Sequence, residues 1–271
     1  MVSFILTSRV KDNVDSNIHS LLKSIVFCGG LKDNVEVLIK YDDDDDLKPD
    51  KSEFINYPFD VKLFSWNRGE GRFSLQFDYT ILLTELNPIS KVIVNISDDF
   101  IITRPGFIID LLNDVELREY FVMGGKFIEV DNDNPNINEI INWRSNQSGW
   151  ITYANPLVAS RKLIEVLGGF GFQSNTDNWI SLLCQILRYK YNIILDIGRT
   201  EVFFKRSEQN EFHKSGRLTD KVPKDNKLYT DCHVSVKNSQ YFDLVEQQAK
   251  NVYLNILDSN KLQDYFKNVI G

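Results

Sequence analysis

At 271 residues the chain is long enough to bury a full core, either as one large domain or as one domain with an extension. Its apolar fraction of 42% and charged fraction of 25% are those of a soluble globular protein. A net charge of −7 argues against a surface that coats nucleic acid, since a polyanion is bound by excess lysine and arginine.

"VSFILTSR" (residues 2–9) is a short run of β-formers ending in polar residues, which predicts a buried strand. Ile18, Leu21, Leu22, Ile25 and Val26 follow helical spacing, and Gly29-Gly30 predicts the stop. "NVEVLIKY" (residues 34–41) predicts a second strand that runs straight into five aspartates, Asp42 to Asp46. "DVKLFSW" (residues 60–66) predicts a third. After the glycine-punctuated "NRGEGR", Phe73, Phe77, Leu82 and Leu86 sit mostly four apart and predict a helix. "KVIVNIS" (residues 91–97) predicts a fourth strand, ending in the adjacent carboxylates Asp98 and Asp99.

In the second half, "FVMGGKFIEV" (residues 121–130) predicts a strand, and "LVASRKLIEVLGGFG" (residues 157–171) a helix with a glycine stop. "NTDNWISLLCQILRYK" predicts another helix, with Ile180, Leu183, Cys184 and Leu187 on one face; "YNIILDI" returns as a strand. Residues 201–237 are polar and basic and are expected to be loop with short strands. A last helical stretch, 239–269, carries Tyr241, Leu244, Val245, Ile256, Leu257 and Phe266. The three cysteines, Cys28, Cys184 and Cys232, form no CxxC pair, so neither a disulfide framework nor a thiolate zinc site is indicated. No apolar run approaches the ~20 residues that span a bilayer, and "MVSFILTSR" is too short for a signal-peptide core. A cytoplasmic protein is expected.

Strand, helix, strand, strand, helix, strand is the order of an α/β sandwich with parallel strands, and ligands on such sheets bind beyond the carboxyl ends of the strands. Arg9, Asp42, Asp98 and Asp99 all fall at such ends. An unpaired charge is costly to bury. The Asp98–Asp99 pair therefore either solvates a turn, caps the following helix, or faces a cation or a substrate.

The order of these pieces resembles the GT-A glycosyltransferases, in particular the family-two-like group that uses nucleotide sugars. "ISDDFIITRPGFIIDLL" is similar to that group's "D-S-D-D" strand end followed by a Pro-Gly turn and helix. "SRKLIEVLGGFGFQSNTDNWISLL" places Gly168-Gly169-Phe170 and Thr176-Asp177 where the group has "G-G-F" and "E-D". The resemblance covers residues 2–197. Two departures stand out: Ile96 occupies the position of the first aspartate of the DxD motif, and Thr176 that of the glutamate in "E-D".

The resemblance implies a GT-A (Rossmann-like) sheet, mixed and mostly parallel, flanked by helices. It places this domain over residues 1–205, with 206–271 as a loop and helical extension packed on it. It also implies metal-dependent transfer of a sugar from a nucleoside diphosphate sugar, a UDP-sugar first among them, to a hydroxyl acceptor such as a glycan. A hard divalent cation, Mn2+ or Mg2+, held by carboxylates and phosphates would stabilise the leaving diphosphate. Asp99 is then expected to ligate that metal, while Asp98 contacts the donor sugar or ribose, or supports the metal through water. Asp42 matches the position that contacts the nucleoside; Asp43 to Asp46 read as a solvated, self-repelling turn. Arg9 and Arg72 are the candidate cationic partners of the nucleotide. His213 is the candidate late metal ligand, with His233 its rival, while His19 reads as structural.

Asp177 is either the cap of its helix or the base that takes the acceptor's proton, and the second role implies inversion. Trp179 beside it either stacks on a sugar or belongs to the core. Two alternatives stay open. One is a sugar-nucleotide nucleotidyltransferase, against which "TSRVKDN" lacks the glycine-rich loop expected after the first strand. The other is a non-catalytic glycan- or nucleotide-binding relative, which the missing first aspartate keeps in play.

Overall fold

The computed structural model describes residues 1–8, 18–45, 49–67, 74–98, 100–117, 119–123, 128–130, 156–170, 176–197, 203–206 and 239–270. In chain order the elements are β1 (Val2–Thr7), α1 (Ile18–Phe27), β2 (Val35–Asp42), a 3-10 turn (Lys51–Phe54), β3 (Asp60–Trp66) and α2 (Ser74–Thr84). Then come β4 (Val92–Asn95), β5 (Phe100–Ile102), α3 (Phe107–Leu117), β6 (Phe121–Val122), β7 (Ile128–Val130) and β8 (Leu157–Ser160). They are followed by α4 (Arg161–Leu167), α5 (Thr176–Tyr189), β9 (Leu195–Asp196), β10 (Phe203–Arg206) and α6 (Ser239–Ile270).

Among the described residues a seven-stranded sheet runs in the order β3-β2-β1-β4-β8-β6-β9. The pairs β2–β3, β1–β2, β1–β4 and β6–β9 are parallel, and β8 alone runs against its neighbours β4 and β6. The sheet is mixed and mostly parallel, as expected. β1 and β2 are buried along nearly their whole length, and apart from Ser3, Glu36 and Lys40 their buried residues are apolar, because both of their faces are covered. Val2, Phe4, Leu6, Val37 and Ile39 point to one side, where α1 and α3 supply Leu21, Leu22, Ile25, Phe107 and Leu111. Ile5, Leu38 and Ile93 point to the other, where α2, α4, α5 and α6 supply Leu82, Leu163, Trp179, Leu183 and Val245. The last helix thus joins the second core through Val245, Ala249, Val252 and Ile256, spaced three and four apart. A smaller sheet pairs β10 with β5 and β7.

Three expectations are corrected. Leu157–Ser160 is a strand, not the first turn of a helix: its four residues are all buried and pair antiparallel with β4, from Val92↔Ser160 to Asn95↔Leu157. The helix begins only at Arg161, where the Ser160 side chain caps it by accepting from the Leu163 amide. The predicted glycine stop is present, with Gly168 at φ 78° and its amide directed to the carbonyls of α4. Second, the helix expected after the Pro105-Gly106 turn is present as α3, but between the aspartate pair and that turn the chain makes a strand the sequence reading does not contain, β5, antiparallel to β10. Third, the strand expected over residues 191–197 is reduced to Leu195–Asp196; Asn192, at φ 54°, turns the chain just before it.

Candidate functional site

The chain lays down β1, β2 and β3 outward in one direction, then returns to place β4 on the opposite side of β1. The carboxyl ends of β1 and β4 therefore flank a topological switch point, where a crevice opens beyond the sheet. Ser8 is the first residue after β1 and is held beside β2 by its amide, which donates to the Lys40 carbonyl at 2.9 Å. Beyond β4, Ile96 is buried in the core and Phe100 is fully buried at the start of β5. These two apolar anchors force the chain to turn between them, and the Phe100 amide donates to the Ser97 carbonyl at 3.3 Å. Ser97 and Asp98 are left half-buried at the rim. The Ser8 hydroxyl donates to Asp98 Oδ2 at 2.6 Å, so one hydrogen bond joins the two sides of the switch point.

Register carries Ser8 alongside Tyr41, since Leu6 pairs with Ile39 and alternate residues share a face. Burial, and next the Asp98 carboxylate, raise the Tyr41 phenol above its usual range, so it stands at this edge as a neutral hydroxyl.

Asp42, the last residue of β2, turns to the other face with Lys40. Lys40 is only 1% exposed, and its ammonium meets Asp42 Oδ1 and lies 3.2 Å from Asp78 Oδ2 on α2. Trp66, at the end of β3, donates its indole N–H to Asp78 Oδ1 at 2.6 Å, and its ring lies 5.5 Å from the Lys40 nitrogen. Burial raises the Asp78 carboxyl above the ordinary carboxylate value, against the opposing pull of Trp66 and Lys40. Lys40, Asp78 and Trp66 were not singled out from the sequence. The signal available was a lysine between Ile39 and Tyr41 in a strand expected to be buried, a place a charge occupies only when paired.

Asp42 to Asp45 are more ordered than a solvated turn. Asp45 is buried, its amide donates to the Asp42 carbonyl at 3.1 Å, and its Oδ2 accepts from the Asp42 amide at 3.1 Å. Asp43 accepts from the Ser65 hydroxyl, and its amide donates to the Trp66 carbonyl at 3.2 Å. Asp42, Asp44 and Asp45 each bring a carboxylate oxygen within 4.8 Å of the others. With the Lys40 ammonium already on Asp42, a positive charge is supplied there by the chain itself.

Of the other expected site residues, Arg9, Arg72, Asp99 and His213 lie outside the described residues, as do His233 and Cys232. Asp177 stands in the first turn of α5, with its side chain outside the described part. Trp179 belongs to the core: it is 1% exposed and its indole donates to Gln248 Oε1 on α6 at 2.8 Å. His19 packs against Phe54 and Tyr57, with Nδ1 2.9 Å from the Tyr57 hydroxyl and Nε2 3.6 Å from Glu53. Burial pushes the Cys28 thiol up to about 12, which makes it a packing residue rather than a nucleophile.

No protein-family profile matches the sequence, and no curated protein matches it either. Solved structures do match. The chain is similar to S. aureus TarS residues 1–349 in complex with UDP-GlcNAc, at 14% identity and TM-score 0.56, over 94% of this chain and 72% of that one. Against a longer S. aureus TarS chain the TM-score is 0.50 at 15% identity, and the match spans 38% of that chain's length and 80% of this one. It is also similar to the mannosyltransferase PcManGT from Pyrobaculum calidifontis in complex with GDP-Man and Mn2+, at 12% identity and TM-score 0.52, over 98% of this chain and 81% of that one. Together with the strand order and the switch-point geometry, these likenesses show that the chain has the GT-A glycosyltransferase fold.

Proposed function

We propose that the chain is a glycosyltransferase that moves a sugar from a nucleoside diphosphate sugar to a hydroxyl acceptor. The observation that carries this reading is the hydrogen bond from Ser8 to Asp98 across the β1/β4 switch point, which fixes a carboxylate where ligands of such sheets lie. The neighbours crystallised with UDP-GlcNAc and with GDP-Man support the donor class. Asp98 then receives a hydroxyl of the donor sugar or ribose, and Asp42 faces the nucleoside. Arg9 and Arg72 neutralise the phosphates.

The oxygen donors at this edge suit a hard cation, and Mn2+ accompanies GDP-Man in the mannosyltransferase. Asp99 and His213 would hold Mn2+ or Mg2+, and Asp98 would support it. When bound there, the ion supplies positive charge to the departing diphosphate. Asp177 takes the proton of the acceptor hydroxyl as that oxygen attacks the anomeric carbon, which makes the transfer inverting. Residues 1–205 carry the donor site, and 206–271 form an extension whose helix α6 closes the second core. Among the described residues no helix is long and apolar enough to cross a membrane.

Calorimetric titration with UDP and GDP, with and without Mn2+, tests the reading. A metal-dependent transferase binds at least one of them more tightly with Mn2+, and chelation abolishes donor turnover. A glycan-binding relative shows no metal-dependent nucleotide binding, which would overturn the proposal.

A further inference from the structure

We infer that Lys40, with Asp78 and Trp66 behind it, is a positioning device for Asp42, and through Asp42 for the nucleoside. The inference rests on the reading that Asp42 faces that part of the donor. Lys40 is a cation with 1% of its surface exposed, two residues before the end of β2 and under the exit of the sheet. A buried ammonium has to be paired on every side that water would otherwise occupy. Here it is held from two directions: Asp42 Oδ1, two residues on in the same strand, and Asp78 Oδ2 at 3.2 Å from α2.

Asp78 is fixed in turn. Its second oxygen accepts from Trp66 Nε1 at 2.6 Å, and Trp66 is the register partner of Asp42 on β3. The Trp66 ring adds a face 5.5 Å from the ammonium, within the range of a cation–π contact. Three elements, β2, β3 and α2, thus converge on one nitrogen, and what that nitrogen presents at the rim is the Asp42 carboxylate. From below, the Asp45 carboxylate holds the Asp42 main-chain amide at 3.1 Å, so backbone and side chain are both anchored.

Apolar residues of similar volume in place of a buried ion pair are often as stable or more so, so packing alone does not account for a pair that ends in a half-buried carboxylate at this edge. Lys40 gives Asp42 one orientation before ligand arrives, and a preorganised acceptor spares the ligand the cost of ordering it.

The test is a double-mutant cycle on UDP and GDP binding with the full chain. Lys40→Met alone leaves two partly buried carboxylates without a counter-charge and is expected to fold poorly. Lys40→Met/Asp78→Asn removes both charges, and its Asn can still accept from Trp66. This pair is expected to melt within a few degrees of wild type yet bind the preferred nucleotide about tenfold more weakly. Made in the Asp42→Ala background, the same pair should cost nothing further, because it acts only through Asp42. Lys40→Arg, which keeps the cation, is expected to recover part of the affinity. Wild-type affinity in the double variant overturns the inference, as does a loss that adds in full to that of Asp42→Ala. A wild-type protein that binds neither nucleotide overturns the donor reading itself, whereas failure of the Lys40 variants alone leaves that reading standing.

Discussion

Replacing Ser8 isolates the hydrogen bond on which the site reading depends. Ser8 is 7% exposed, and its hydroxyl is 2.6 Å from Asp98 Oδ2, a distance typical of a hydroxyl donating to an ionised carboxylate. Hydrogen bonds to charged groups contribute about 1.5–3 kcal/mol. Asp98 is only partly buried, so water recovers much of this, and the low end applies to stability. Ligand affinity depends on a different quantity. In the wild type the carboxylate is already oriented, whereas without Ser8 the ligand must order it, at about 0.5–1.5 kcal/mol per side chain. At ~1.4 kcal/mol per tenfold, that is roughly a two- to twelve-fold rise in nucleotide Kd.

The informative pair is Ser8→Thr and Ser8→Val, which add similar volume at this enclosed site and differ in the hydroxyl. The Thr variant should bind UDP or GDP with Mn2+ near wild type, and the Val variant several-fold more weakly, as read by calorimetry. Equal affinities for the two would refute the claim that Ser8 sets Asp98 for the ligand.

Asp177→Asn should melt close to wild type, because in the first turn of α5 it gives up only the favourable charge–dipole interaction, about 0.3–1 kcal/mol. Transfer to the acceptor should fall by at least ~100-fold if Asp177 is the base, since Asn cannot take the proton; unchanged turnover would remove it from the mechanism. Asp44 is exposed, so Asp44→Ser should leave nucleotide affinity within about twofold, whereas Asp42→Ala should lower it clearly in the same titration. Trp179→Ala should destabilise by about 3–5 kcal/mol, seen as a lower midpoint in denaturant, because the ring is fully enclosed between α5 and α6.

The parallel half of the sheet was legible because buried strands announce themselves as apolar runs, and "VSFILT", "VEVLIKY" and "VIVN" all do. The carboxyl ends of those runs located Asp42 and Asp98. The sequence reading failed where two periods overlap. Leu157, Val158, Leu163, Ile164 and Leu167 keep a helical spacing straight through Ser160, so the strand before the cap was absorbed into the helix. The serine itself was the missed signal. β5 was hidden because three residues following a turn carry no period of their own.

Lys40 was passed over for a different reason. A lone lysine in a strand reads as an edge or a solvent face until a partner is known, and Asp78 and Trp66 lie 38 and 26 positions further along the chain. Asp45 was grouped with its neighbours because charge runs are usually solvated, yet its carboxylate is folded back onto the Asp42 amide. Pairings of this kind depend on tertiary geometry, and no spacing in the sequence encodes them.

The most direct measurement is a crystal structure of the protein with UDP-GlcNAc or GDP-Man and Mn2+. The expected density places the diphosphate over the Ser8–Asp98 bridge between β1 and β4, with the nucleoside against Asp42 and the metal beside Asp99. A nucleotide sugar bound away from that edge, or none bound at concentrations that saturate a transferase, would contradict the account.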